Sequence, residues 1–309
     1  MSSSSEILSH TPEDDEDDDS PVLLMSFNAA DPTGAGGLAA DLVASSSCGG
    51  FVLPITTGIL VRDSTTLFDY VEIDSDAVEE QARSVLQDME VDVIKVGFGG
   101  SPESLAVVAE ITADYEEIPV ITQATPISWW ESDKIESYLD ALTELILPQT
   151  SVLVGNYDTL WRWLLPDWSS DKRPSPRDIA AGAAEHGVPY VVITSANTTL
   201  ETTDTVVAAP EAVLATITLD RYEANFMGAG DTFSAALATL LATGDELVDA
   251  VREASIYVNR SLMAGFAPGM GAAMPDRMFW AQVAEDDEQE RVESADEDLL
   301  GTPPNATRH

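Results

Sequence analysis

Between residues 21 and 282, short and nearly continuous apolar runs alternate with stretches whose apolar residues recur every three or four positions. The runs predict strands buried on both faces and the stretches predict helices packed over them, which is the signature of parallel βαβ units. Strands are expected over 22–27, 51–61, 93–98, 118–122, 152–154 and 190–194, with a later antiparallel pair over 206–208 and 213–219. Helices are expected over 37–45, 75–87, 103–113, 135–147 and 176–185, the last opening on Pro176 as helix starts prefer. Two more, 231–242 and 246–264, close the body, and Phe233, Ala236, Leu237, Leu240 and Leu241 keep the spacing of one buried helical face. No internal repeat interrupts the series.

The ends differ in kind. Segments 1–20 and 283–309 are rich in Asp, Glu and Ser and poor in apolar residues, so they are expected to be disordered acidic tails around one domain spanning 21–282. The formal net charge is -41, and the tails account for only part of it: the body keeps 38 acids against 12 bases. The folded surface is therefore acidic, a field that repels nucleic acid and anionic membranes alike. Three lysines in the whole chain, Lys95, Lys134 and Lys172, fit a protein whose charge is screened by concentrated salt.

No run of about 18 apolar residues occurs, so no bilayer-spanning helix is expected. The chain opens on Ser and acidic residues, not on a basic segment followed by an apolar one, and a cytoplasmic location is expected. Cys48 stands alone, which excludes an intramolecular disulfide and a cysteine-rich metal site. His10 and His309 lie in the tails, and His186 sits beside Gly187 at an expected helix end, so catalysis by histidine is not expected.

Chemistry gathers at two glycine-rich turns. Met227-Gly228-Ala229-Gly230-Asp231-Thr232-Phe233 carries one carboxylate into the first turn of an apolar-striped helix. Glycines let backbone N–H groups converge on an anion, and a helix N-terminus adds partial positive charge. A carboxylate there is placed to take a proton from an attacking hydroxyl while the amides hold a phosphoryl group. The plainer alternative is that Asp231 only caps its helix, since Asp is a favoured capping residue. The second turn, Asn28-Ala29-Ala30-Asp31-Pro32-Thr33-Gly34-Ala35-Gly36-Gly37, follows the first strand, where open α/β sheets bind ligands. Its plainer alternative is an ordinary strand-to-helix connection. Neither turn is a P-loop, because no Gly-Lys-Ser/Thr follows.

Five segments taken in order resemble the hydroxymethylpyrimidine/phosphomethylpyrimidine kinases of thiamine biosynthesis: 31–37 with Asp41, Lys95-Val96-Gly97-Phe98, Leu147-Pro148-Gln149-Thr150, Gly228-Ala229-Gly230-Asp231, and 264–271. The resemblance runs from about residue 22 to 282 and implies an α/β, ribokinase-like fold: a central, mostly parallel sheet with helices on both faces. It implies an ATP- and Mg²⁺-dependent kinase that phosphorylates 4-amino-5-hydroxymethyl-2-methylpyrimidine, its monophosphate, or both. Asp231 is then the base and Gly228, Ala229 and Gly230 the anion hole. Asp31, Gly34, Arg62 and Phe98 are the expected acceptor-pocket residues, and Asn156 and Thr194 the expected nucleotide-side residues. Small-molecule substrate and ATP are the expected partners, with a second copy of the chain in a homodimer and neither nucleic acid nor membrane.

The chain also departs from that pattern. Asp231 stands where these kinases commonly carry Cys, and Arg62 where they carry a Gln that reads the pyrimidine edge; a guanidinium only donates, whereas an amide also accepts. The acid after the fourth expected strand is replaced in Thr122-Gln123-Ala124-Thr125-Pro126, and the Asn-x-x-Glu that helps organise Mg²⁺ reads Asn156-Tyr157-Asp158-Thr159. These changes fall on the metal and nucleotide side. Two alternatives therefore stand beside the leading one: a pyridoxal-type or other ribokinase-like kinase, and a catalytically weak ligand-binding regulator. Lys95 is expected to satisfy a local acid or carbonyl, and the tryptophans at 129, 130, 161, 163 and 168 to cover core or a subunit contact.

Overall fold

The computed structural model describes residues 20–281. Apart from Ser20, the expected tails 1–20 and 283–309 lie outside the described residues. The described chain runs β1 (Val22–Ala30), α1 (Gly37–Ser47), β2 (Gly50–Arg62), β3 (Leu67–Glu72), α2 (Ser75–Leu86), β4 (Val93–Val96), α3 (Pro102–Asp114), β5 (Val120–Gln123), α4 (Ser132–Ala141), β6 (Val152–Asn156), α5 (Tyr157–Leu164), α6 (Pro176–Glu185), β7 (Tyr190–Thr194), β8 (Thr202–Ala208), β9 (Val213–Asp220), α7 (Ala229–Ala242) and α8 (Leu247–Met263). One nine-stranded sheet has the order β3-β2-β1-β4-β5-β6-β7-β8-β9. Strands β1, β2, β4, β5, β6 and β7 are parallel, while β3, β8 and β9 join antiparallel at the two ends.

Strands β4, β5 and β6 are short and almost wholly buried on both faces, as continuous apolar runs require, whereas the 13-residue β2 next to the edge strand keeps several positions exposed. Met25, Phe27 and Ala29 of β1 pack toward α2, α3 and α4, whereas Leu24 packs toward α7 and α8. Helices α5 and α6 cover the far end of the first of these faces. Helix α7 is buried along most of its length, from Thr232 to Thr239, and rests between α1 and α8 against the sheet centre. Its central seat is what carries its N-terminus to the C-terminal ends of the parallel strands. Among the described residues no helix is long and apolar enough to cross a membrane.

Three elements depart from the sequence-based expectation. Strand β3 was not foreseen, because Leu67–Glu72 lies at the sheet edge, half or fully exposed along its length, and lacks a buried face to set a pattern. Helix α5 was not foreseen either; it is 8 residues long, begins where the Asn156 side chain accepts from the Thr159 amide, and supplies Trp161 and Trp163 as partial cover for the core. The helix expected over 135–147 starts at Ser132, and its last turns widen to a π-turn over Leu142–Ile146 and then tighten to a 3₁₀ turn where Pro148 removes a donor.

Candidate active site

The first turn of α7 is shaped by Gly228. It has a left-handed φ of 83°, and a Cβ there would sit 1.5 Å from the Ala35 carbonyl oxygen. Only glycine fits, on conformation and on space. The close approach presses the 31–37 turn against the start of α7, and Arg277 fastens the two. Arg277 is 7% exposed, and its guanidinium donates from Nε to Thr232 Oγ1 at 2.8 Å, from Nη1 to the Gly34 carbonyl at 3.2 Å, and from Nη2 to the Ala35 carbonyl. The N–H groups of Ala229, Gly230 and Asp231 stand in the first helical turn, where no intrahelical acceptor exists.

These residues line a cleft of about 680 Å³ at the C-terminal ends of β5, β6 and β7. Gly228, Ala229, Gly230, Asp231, Asn156 and Thr194 all face it, so six of the ten expected site residues share one wall system. Asp31 and Arg62 belong to the adjoining side. Arg62 Nη1 lies 3.8 Å from Asp31 Oδ2, and Arg62 lines a second cleft of about 720 Å³ with Ser64, Thr65 and the 224–227 segment. The two sides meet at Gly36, where a Cβ would lie 3.1 Å from Asp231 Oδ2 and 3.4 Å from Asp31 Oδ2. Gly34 turns at a φ of 72° and contributes its carbonyl to Arg277.

Phe98 differs from its expected place. Its ring is 4% exposed, stacks on Tyr138 at 5.5 Å, and is enclosed by Tyr70, Trp129 and Trp130, so it lines neither cleft. Its strand stops at Val96, and the chain leaves the sheet before the ring can face the site. Phe98 instead serves through its backbone, donating its amide to Asn28 Oδ1 at 3.0 Å.

Behind Asp231 lies a polar network that the motif reading did not assemble. Ser26 and Lys95 are register partners on β1 and β4. Lys95 is fully buried, with Nζ 2.8 Å from Asp41 Oδ1 and 3.8 Å from Asp231 Oδ1. Asp41 Oδ2 also accepts from Ser26 Oγ at 2.7 Å and from Asn28 Nδ2 at 2.9 Å, and the same Asn28 amide donates to Asp231 Oδ1 at 3.0 Å. Asp231 is 15% exposed. Burial pushes its carboxyl above the ordinary carboxylate range; Lys95 opposes this, Asp41 adds to it, and Asn28 and Arg277 draw it back down. One signal was available in advance: a lone lysine in the apolar run 93–96 has to be met by a buried anion.

On the opposite wall the tethers are fewer. The Asn156 side-chain oxygen Oδ1 accepts from the Thr159 amide and so caps α5, and Asp158 pairs with Arg173 at 2.7 Å in solvent, each side chain 63% exposed. Gln123, in the run 122–126 that replaces the expected acid, accepts from Ser234 Oγ at 2.7 Å and keeps its amide nitrogen near Gly230. Two features stand out among the residues that line this cleft. Thr125 Oγ1 is buried without a hydrogen-bond partner among the described residues, and Ser195 is the only described non-glycine residue at positive φ, 55°. Among the described residues no three His, Cys, Asp or Glu side chains gather to hold a metal ion.

A protein-family model described as phosphomethylpyrimidine kinase matches residues 31–276. The hydroxymethylpyrimidine/phosphomethylpyrimidine kinase of Streptomyces coelicolor is 27% identical over 262 residues, covering 84% of this chain and 96% of the relative. Among solved structures, pyridoxal kinase from Staphylococcus aureus with AMP-PCP and pyridoxal superposes with a TM-score of 0.74 at 18% identity, covering 85% of this chain and 96% of that one. Phosphomethylpyrimidine kinase from Clostridium difficile 630 gives 0.62 at 16% identity, covering 78% and 99%. Both structural likenesses carry the ribokinase-like fold.

Proposed function

The chain belongs to the phosphomethylpyrimidine kinase family, and from that premise we propose that it transfers the γ-phosphoryl group of ATP to 4-amino-5-hydroxymethyl-2-methylpyrimidine, to its monophosphate, or to both in turn. One observation carries the reading: a partly desolvated carboxylate, Asp231, stands in the first turn of α7 beside free backbone amides and faces an open cleft.

ATP, when bound, supplies an electrophilic phosphorus and a leaving group that departs with the electron pair of the broken β–γ phosphoanhydride bond. Asp231 takes the proton from the acceptor hydroxyl as its oxygen forms the new O–P bond, and later releases it to solvent. The Ala229 and Gly230 amides, with the positive end of α7 behind them, hold the charge on the transferred group. Arg277 keeps the 31–37 turn and α7 at fixed separation, so the acceptor side and the phosphoryl side stay in register. Asp31, Gly34 and Arg62 bound the acceptor side; Arg62 brings donors where an amide would both donate and accept. Thr125, Asn156, Thr194 and Ser195 line the same cleft and fit the nucleotide side. Magnesium would enter with the triphosphate and neutralise its charge; among the described residues no cluster of three or more His, Cys, Asp or Glu side chains would hold it without the nucleotide.

The homodimer expectation stays a proposal; on the β2–β3 ribbon Ile59 and its cross-strand partner Val71 are exposed, as are Val61 and Phe68. The deciding experiment is an ATP-dependent phosphorylation assay in concentrated salt on the pyrimidine alcohol, its monophosphate, pyridoxal and a sugar panel. Turnover of a pyrimidine acceptor is the expected result. Turnover of pyridoxal or a sugar alone moves the chain to another ribokinase-like kinase. No transfer, together with a rise in Tm on adding a thiamine precursor, replaces the enzyme with a ligand-binding regulator.

A further inference from the structure

The network behind Asp231 holds more charge than a helix cap requires. Lys95 and Asp41 have no solvent exposure and meet at 2.8 Å, yet stability alone is a weak reason for such a pair, because apolar residues of similar volume often serve a core as well or better. Its placement is more informative. Asn28 Oδ1 accepts from two backbone amides, Ala29 at 2.9 Å and Phe98 at 3.0 Å, which fixes the orientation of its side-chain amide. Its NH₂ group is therefore bound to face the carboxylates, and it spans Asp41 Oδ2 and Asp231 Oδ1. Oδ1 of Asp231 is thus held from behind by Asn28 and Lys95, and Oδ2 is turned to Gly36 and the loop that carries Asp31.

We propose that Lys95, Asp41 and Asn28 are positioning residues that set the charge and the orientation of Asp231, an assignment that rests on Asp231 being the proton acceptor of the reaction above. Lys95, from β4, opposes the desolvation that favours the protonated carboxyl. Asp41, from α1, offsets part of that cation and so keeps Asp231 basic enough to accept a proton. Asn28, from β1, pins one oxygen so that the other meets the acceptor hydroxyl. The remaining charged groups that face Asp231 are Arg277, from the C-terminal segment, and Asp31, itself paired with Arg62 of β2.

Two single variants pull in opposite directions, which a merely structural role would not produce. Lys95→Met removes the cation and should strengthen proton binding at Asp231 about tenfold, moving the acid limb of kcat/KM to higher pH. Asp41→Asn removes the like charge and should move that limb to lower pH. The second readout needs no turnover: the carboxyl ¹³C titration of Asp231 in the ligand-free protein, assigned by its disappearance in Asp231→Asn, should move the same way in each variant. If Lys95→Met alone does not fold, the double variant Lys95→Met/Asp41→Asn leaves neither charge buried alone, and its titration should lie above that of Asp41→Asn. Folded variants that titrate as the wild type, or an Asp41→Asn titration at or above the wild-type position, would overturn the proposal. Carboxyl titrations that move as expected while the kinetic limb stays put would leave the wiring standing and remove Asp231 as the base.

Discussion

The two walls of the cleft are built to different standards. On the α7 wall Asp231 is 15% exposed, Lys95 and Asp41 are fully buried, and Arg277 is 7% exposed, with each side chain held by two or more partners. On the wall built after β5, β6 and β7, Asn156 is committed to capping, Asp158 and Arg173 pair in open solvent, the Thr125 hydroxyl has no partner among the described residues, and Ser195 holds a positive φ. The contrast follows the chemistry proposed for each side. Proton transfer needs one atom within hydrogen-bond reach of another, so its geometry is fixed in advance; a triphosphate brings its own charge and completes the loose wall when it binds.

The sharpest way to break the comparison is on the rigid wall. Asp231→Ala should lower kcat by about 10² to 10⁴, the usual span for a positioned base, with little change in substrate binding. Steady-state kinetics with isothermal titration of the acceptor separates the two quantities. Retained turnover would shift the base elsewhere.

Arg277→Met comes next, because it cuts the fastening without touching the reacting atoms. Buried carbonyls of Gly34 and Ala35 lose a donor, a loss of about 1–3 kcal/mol, or roughly 2–4 °C in Tm for each kcal/mol in a domain of this size. Turnover should fall about 10- to 100-fold as the acceptor turn drifts from α7. Calorimetry showing an unchanged Tm would mean that the close approach at Gly228 holds the two segments unaided.

On the loose wall, Asp158→Asn should change KM for ATP by less than about fivefold and leave kcat alone, since an exposed ion pair is worth about 0–1 kcal/mol. A loss comparable to that of Asp231→Ala would show both walls to be equally committed, and the contrast would fail.

Much of the rigid wall could be read from the chain because it is local. The run 228–231 names its own glycines, carboxylate and helix start; across the cleft, the strand over 190–194 was legible to the residue. What joins distant segments was not. Arg277 reaches the Gly34 carbonyl across 243 residues, and Lys95 reaches Asp41 across 54; no spacing rule links such positions, although a lone lysine in an apolar strand signals that a buried partner exists. The edge strand β3 and the short α5 escaped for another reason: neither has the long one-sided pattern on which periodicity depends. Phe98 was misplaced by a strand end only two residues earlier than expected, enough to turn its ring from the cleft into the aromatic cluster.

The smallest effect has the opposite sign to the others and sharpens the contrast most finely. Asp231 binds its proton more tightly in the folded chain than in the unfolded one, because desolvation outweighs Lys95. Below the ordinary carboxylate range both states are protonated and the residue costs nothing. As pH rises the unfolded chain ionises first, and native stability falls until the folded carboxyl ionises too, above its raised value. Asp231→Asn, which keeps an acceptor for Asn28 and removes the charge, should therefore raise Tm at neutral pH, and the gain should vanish in acid. Thermal melts of the two proteins across that range check it. A variant less stable than the wild type at neutral pH would mean that Lys95 and Arg277 more than compensate the buried charge, and that the rigid wall is a source of stability, not a place where stability is given up for chemistry.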